Sequence, residues 1–151
     1  MDLTRHFADE AQHARYWTDC IQRLGAEPLR LDAAYQDRYL EAAGMPVNLM
    51  EVLAITQVFE QRVINQYARH ARAPDVQPEI RDTLDRIMQD ETWHLQWVRQ
   101  ALVSMEGEWG KETVLAAIRR CWDADQKVYA ATLSEHAERV QHLLGISKEA
   151  E

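Results

Sequence analysis

Two short segments of the chain place a glutamate and a histidine three residues apart. Glu10 and His13 form the first pair, and Glu91 and His94 form the second; an aspartate directly precedes each pair. On an α-helix, residues three apart share one face, so a carboxylate and an imidazole reach the same space. Carboxylate oxygen together with imidazole nitrogen suits iron or manganese. The spacing therefore indicates two helical turns that offer ligands to a metal.

Both pairs lie on the apolar face of a predicted helix, where an ionised carboxylate is costly to bury unless something compensates its charge. The first predicted helix carries apolar residues at helical spacing from Leu3 to Leu24, and Gly25 follows as a cap. The helix of the second pair runs from Pro78 to a turn at 107–110. A bound cation would supply the compensation. The alternative is a buried acid–histidine hydrogen bond without metal.

Two further long helices are predicted from the positions of proline and glycine. One opens at Pro46, in the favoured first-turn position, stops before Pro74 and carries Glu60 on its inward stripe. The other runs from Lys111 to Leu144, before Gly145. Its predicted inward stripe comprises Leu115, Ile118, Trp122, Asp125, Tyr129, Thr132, His136 and Val140.

The connection between the first two long helices, residues 25–46, is long. Within it, residues 32–43 predict a short amphipathic helix capped by Asp32. Joins between antiparallel bundle neighbours are typically about 2 to 8 residues, so this segment is expected to cross the bundle. The two helices that it joins would then run parallel, within one all-α domain spanning residues 1–151.

An internal repeat relates the two metal-ligand segments. Shifting the first helix by 81 positions superimposes Glu10 on Glu91 and His13 on His94, together with the aspartates before them. The repeat indicates two related halves.

These residues resemble the ferritin-like carboxylate-bridged di-iron superfamily, in which two helices each supply one Glu and two others each supply Glu-x-x-His. The resemblance rests on residues 9–13, on residues 90–94 and on Glu60, and it covers most of the chain. It implies an all-α, ferritin-like four-helix bundle with a long crossover between helices one and two. It also implies two iron ions, with manganese as the alternative metal.

The resemblance further implies a role for each ligand. Glu10 and Glu91 would bridge the two metals, His13 and His94 would cap one each, and Glu60 would be a terminal ligand beside His94. By the same offset, the sixth ligand would be a glutamate about 21 residues before the first residue of this sequence. We therefore expect the metal beside His13 to be short of one carboxylate.

Three explanations for the missing sixth ligand stay open at this point. Asp125, on the stripe of the last helix, could substitute. Another subunit could supply the ligand, for example in a homodimer. The second metal could also bind weakly or not at all. His6, one turn before Glu10, is expected to hydrogen-bond to a ligand carboxylate or to be partly buried.

The resemblance implies activation of dioxygen to oxidise or hydroxylate a small organic substrate. A ferroxidase or iron-binding protein would use the same ligands, and a metal-free helical module that mediates assembly is a third reading. A net charge of −8 provides no basic surface, so nucleic acid is not expected as a partner. No apolar run approaches the roughly 18 residues of a membrane span. The start of the chain lacks a secretory signal and only two cysteines occur, so we expect a cytoplasmic protein.

Overall fold

The computed structural model describes residues 3–28 and 34–143, and side chains as far as residue 138. Within these residues all regular secondary structure is helical, which confirms the all-α class. The helices are α1 (Leu3–Arg23), α2 (Tyr35–Ala43), α3 (Leu49–Ala71), α4 (Pro78–Trp109) and α5 (Lys111–Leu143). None of these described helices combines the length and the apolar character that crossing a membrane requires.

The end of α1 confirms the predicted glycine cap. Gly25 has a φ of +62°, a left-handed conformation that a side chain would strain. Its N–H donates to the carbonyl of Gln22 at 3.0 Å, and the N–H of Ala26 donates to the carbonyl of Ile21 at 3.1 Å. These two bonds satisfy carbonyls that the helix end would otherwise leave without partners.

The predicted start of the second long helix at Pro46 is wrong. Helix α3 begins at Leu49, because Asn48 caps it by accepting a hydrogen bond from the backbone N–H of Glu51. The Glu51 carboxylate in turn accepts from the N–H of Val47. This reciprocal arrangement satisfies two N–H groups at the start of the helix.

The predicted turn at 107–110 is also too early. Helix α4 continues through Gly107 to Trp109 and ends at Gly110, which has a φ of +83°. Gly107 remains in the helix, since glycine weakens a helix without breaking it. Pro78 occupies the first turn of α4 as expected. The predicted cap Asp32 and the predicted end of the last helix at Leu144 and Gly145 lie outside the described residues.

Three helices, α3, α4 and α5, pack against one another and form the main core. Helix α2 packs on α5, and the backbone of α1 approaches only α4 among the described helices. Core side chains with almost no exposure include Tyr39, Leu53, Val58, Leu84, Val98, Leu102 and Val114. Because α1 has one backbone neighbour, a groove is left between α1 and α3.

The groove explains why α1 buries less than its apolar stripe predicts. Only His6, His13 and Cys20 are buried, and they lie seven residues apart along the line that faces α4. Phe7, on the groove side, is 67% exposed. The Glu10 side chain is 47% exposed for the same reason.

The predicted inward stripe of the last helix is only partly correct. Trp122 is 43% exposed, and the face that α5 buries contains Val114, Ala117, Cys121, Ala124, Asp125 and Val128. Small side chains such as Ala117 and Ala124 allow α5 to lie close to its neighbours. A stripe chosen for large apolar residues therefore misses them.

Side-chain contacts give the directions of the helices around the groove. His6 contacts Glu60, and further along both helices Trp17 contacts Tyr67, so α1 and α3 run in the same direction. Helix α4 runs opposite to α1, because its residues 97, 94 and 90 meet α1 residues 6, 9 and 13 in turn. The segment that would form the crossover includes residues 29–33, which are outside the described residues, so the ferritin-like crossover stays a prediction.

Candidate metal centre

The five residues predicted as metal ligands meet at one place between α1, α3 and α4. His13, Glu60, Glu91 and His94 are buried, and Glu10 reaches the same place from the edge of the groove. Candidate ligand atoms of Glu10, His13 and Glu91 all lie within 4.8 Å of one another. A second group within the same limit consists of Glu10, Glu60, His94 and His6. Because both groups contain Glu10, they form one continuous cluster.

Each aspartate that precedes a motif forms a hydrogen bond with the histidine of the other motif. Asp9 on α1 lies 3.2 Å from Nε2 of His94 on α4. Asp90 on α4 lies 3.3 Å from Nε2 of His13 on α1. A carboxylate can only accept, so each Nε2 carries the hydrogen. In the neutral ring the other nitrogen, Nδ1, then has a free lone pair, the form that binds metals.

Both Nδ1 atoms are buried and point into the cluster without a hydrogen-bond partner. Nδ1 of His13 is 3.5 Å from Glu10 and 3.4 Å from Glu91. Nδ1 of His94 is 3.4 Å from Glu10 and 3.5 Å from Oε2 of Glu91, another buried atom without a partner. Buried polar atoms normally have partners. The His and Glu residues of this cluster could hold a metal ion, which would satisfy all three atoms.

His6 belongs to the cluster, although the sequence indicated only a supporting or partly buried residue. Its Nδ1 accepts a hydrogen bond from the indole N–H of Trp97 at 3.1 Å. Since indole nitrogen only donates, Nε2 of the neutral His6 ring carries the hydrogen, and it faces Oε1 of Glu60 at 2.9 Å. In this arrangement His6 donates to a ligand carboxylate and leaves no lone pair for a metal. In the sequence, the feature that could have indicated this role is the position of His6, one helical turn before Glu10.

Burial and the neighbouring charges shift the acids of the cluster in opposite directions. Burial, with the nearby Glu91 carboxylate, raises the pKa of Glu60 to about 7 against the opposing effect of His6. Burial alone would raise the pKa of Glu10, but the neighbouring imidazoles of His13 and His6 outweigh this effect and lower the pKa to about 2. The metal-free cluster therefore holds an ionised Glu10 and a Glu60 that titrates near neutral pH.

The histidines respond to the same carboxylates. Burial disfavours the charged form of His13, but Glu10 and Asp90 outweigh it and raise the pKa above 6.5. Burial also disfavours the charged form of His94, but Glu91 and Asp9 outweigh it and raise the pKa of His94, as for His13. Metal binding at either Nδ1 must therefore compete with a proton.

Asp125 is fully buried but lies outside both groups of candidate ligands. Its Oδ1 accepts from Nε of Arg62 at 2.9 Å and from the hydroxyl of Tyr35 at 2.8 Å. Oδ1 is therefore engaged in an ion pair between α3 and α5, whereas Oδ2 is buried without a hydrogen-bond partner among the described residues. Asp125 does not reach the cluster of candidate ligands in this structure.

A cavity of about 380 Å³ adjoins the cluster in the groove between α1 and α3. Glu10, His13, Glu60 and Glu91 form its polar end. Its other walls are mostly apolar and include Leu3, Phe7, Val52, Phe59, Val63 and Ile87. Tyr67 also lines the cavity, and its hydroxyl accepts a hydrogen bond from the Trp17 indole at 3.2 Å.

No protein-family model, curated protein or solved structure matches the chain. The interpretation of the cluster therefore depends on its own geometry and chemistry.

Proposed function

We propose that this protein is a non-haem di-iron protein that activates dioxygen to oxidise or hydroxylate a small organic substrate. The observation that supports it most strongly is the convergence of Nδ1 of His13 and Nδ1 of His94, both buried without partners, on shared carboxylates. Nitrogen and carboxylate oxygen without thiolate favour iron or manganese over softer metals.

The overlap of the two ligand groups supports two metal ions rather than one. Glu10, present in both groups, would bridge, and Glu91 would bridge as well, since its two oxygens face His13 and His94 separately. His13 would be the further ligand of one ion, and His94 and Glu60 would be the further ligands of the other. The directions of α1, α3 and α4 agree with the ferritin-like arrangement that the motifs resemble.

The ion beside His13 would have one carboxylate fewer than the ion beside His94. Glu10 is half exposed toward the groove, so this side of the site is the accessible one. A partner subunit as the source of a further ligand remains part of the proposal, since Asp125 is held by Arg62.

Bound iron would supply the chemistry of dioxygen reduction and of substrate oxidation. The chain's own residues would fix the ligands before that chemistry begins. Asp9 and Asp90 hold the imidazole rings with Nδ1 inward. Trp97 orients His6, and His6 donates to Glu60. The two contacts fix the position of this carboxylate. Such support limits the reorganisation that the reaction requires.

The cavity favours an organic substrate over iron as the substrate. Away from the cluster its walls are mostly apolar, with Phe7, Val52 and Phe59 among them. A hydrated metal ion gains nothing from such walls, whereas an apolar molecule is stabilised by burial against them. The oxidase or oxygenase reading is therefore preferred to the ferroxidase reading.

Anaerobic iron titration of the purified protein, followed by exposure to dioxygen, tests the proposal. We expect saturation at two ferrous ions per chain, dioxygen consumption, and an optical band that develops as the bound iron is oxidised. Protein that stays folded but binds no iron would favour the metal-free assembly module. Dioxygen consumption that is proportional to iron added far beyond two equivalents would favour the ferroxidase reading.

A further inference from the structure

The cavity beside the cluster has a second polar feature, at the side formed by α2 and α3. Arg62, Tyr35 and Gln36 line it there. Among the described residues that line the cavity, Arg62 is the single lysine or arginine. A permanent positive charge beside mostly apolar walls requires a partner of opposite charge, because the walls do not stabilise it.

Among the described residues, Arg62 is held by one carboxylate and by aromatic rings. Its Nε donates to Oδ1 of the fully buried Asp125 at 2.9 Å. The guanidinium carbon lies 4.4 Å from the ring centre of Tyr35, with Phe59 and Tyr129 at 5.3 and 5.6 Å. These contacts fix the plane of the guanidinium group.

The two terminal nitrogens of Arg62 make no hydrogen bond to any described residue. The side chain is 19% exposed and lines the cavity. A planar guanidinium with a free edge matches the two oxygens of a carboxylate, which it binds through paired charge-assisted hydrogen bonds.

We infer that the cavity binds a small aliphatic carboxylic acid, with the carboxylate on Arg62 and the hydrocarbon chain directed toward Glu10. The chain would lie against Phe59, Val63 and Phe7, and its far carbons would reach the metal cluster. The volume of about 380 Å³ is at the lower end of small-molecule sites, which indicates a short acid rather than a long-chain lipid.

This inference rests on the proposed function for the role of the acid as substrate, but binding itself does not require iron. The probe is sodium octanoate, titrated calorimetrically into the full chain with and without ferrous iron under anaerobic conditions. Octanamide, which has the same shape without the charge, is the comparison ligand. We expect octanoate to bind at least about tenfold more tightly than octanamide.

Replacing Arg62 alone would leave Asp125 buried without its partner, so the test variant carries both Arg62→Gln and Asp125→Asn. Its octanoate affinity should fall to that of octanamide, while octanamide binding is retained. Arg99→Gln is the matched control, because Arg99 is exposed, bonds to Gln61 and does not line the cavity. It should bind octanoate as the unmodified protein does.

A variant that keeps Arg62 tests the position of the hydrocarbon chain. Val63→Trp fills the cavity and should weaken octanoate and octanamide alike. Equal affinity of the unmodified protein for octanoate and octanamide, or no binding of either, would overturn the inference. Two ferrous ions bound without octanoate binding would leave the proposed function standing. Octanoate binding without iron binding would overturn the proposed function alone.

Discussion

Asp9 accepts a hydrogen bond from Nε2 of His94 across the interface between α1 and α4, at 3.2 Å. Asp90 does the same for His13 at 3.3 Å. Each Glu-x-x-His motif is thus oriented by the aspartate of the other motif. As a result, the two helices position both imidazoles only when they are packed together.

Asp9→Ala should lower the affinity of the site beside His94 by about 10- to 100-fold, the usual effect of removing a carboxylate that supports a metal-bound histidine. Without Asp9, the His94 ring is free to adopt the other tautomer, with the hydrogen on Nδ1. Competition titration with a chelating dye measures the change. Asp85→Ala removes an exposed acid of α4 and controls for the change in net charge. Equal affinities for the two variants would mean that Asp9 does not support a ligand.

Metal affinity should rise with pH between about pH 5 and pH 7. Burial and Glu91 raise the pKa of Glu60 from 4.5 to about 7, although His6 opposes this shift. Metal binding below that pH must displace the Glu60 proton. The raised pKa also means that the contribution of Glu60 to the stability of the metal-free fold is full below pH 4.5 and is lost as pH rises through about 7.

Glu60→Gln has no proton to displace and should show a shallower pH dependence of metal affinity, with weaker binding overall. Its metal-free form should also lose less stability than the unmodified protein as the pH is raised over this range. Titrations and denaturant unfolding at several pH values measure both effects. A pH profile unchanged by Glu60→Gln would remove Glu60 from the ligand set.

Asp125→Ala should destabilise the fold by about 3 to 5 kcal/mol, because it leaves Arg62 without its buried partner. Iron stoichiometry in the folded fraction should stay at the unmodified value, since Asp125 is outside the cluster. Glu135→Ala, which breaks the exposed ion pair with Arg38, should change stability little. Loss of one iron ion from folded Asp125→Ala protein would instead restore Asp125 as the sixth ligand.

The convergence of the candidate ligands could be predicted from the sequence, whereas the residues around them could not. Glu10 and His13 share a helix face because of their spacing, which is a local property, and the same holds for Glu91 and His94. The Arg62–Asp125 pair joins residues 63 positions apart, so no helical periodicity reveals it. Only the packing of α3 on α5 brings the two together.

The predicted helix boundaries failed where side-chain caps or backbone geometry decided the outcome. Asn48 starts α3 after Pro46, and Gly107 continues a helix that a turn was expected to end. The exposed fraction of Phe7 could not be predicted either. It depends on whether another helix covers α1, and an apolar stripe does not specify its partner.

His94→Ala should lose one iron ion and abolish dioxygen reduction, whereas His136→Ala should retain both. His94 is the single nitrogen ligand that we assign to the ion beside Glu60, so its loss leaves that ion weakly held. His136 is exposed on α5, away from the cluster. Iron content, dioxygen uptake and helicity are measured on both variants. If folded His94→Ala keeps full iron and activity, the second motif is a structural pair.

The position of bound metal tests the central proposal most directly. Anomalous diffraction from crystals loaded anaerobically with ferrous iron locates each ion independently of activity. We expect two peaks about 3.5 to 4 Å apart between Glu10 and Glu91. One peak should lie within bonding distance of Nδ1 of His13, and the other within bonding distance of Nδ1 of His94. A single peak, or iron bound only outside this cluster, would contradict the assignment of a di-iron centre.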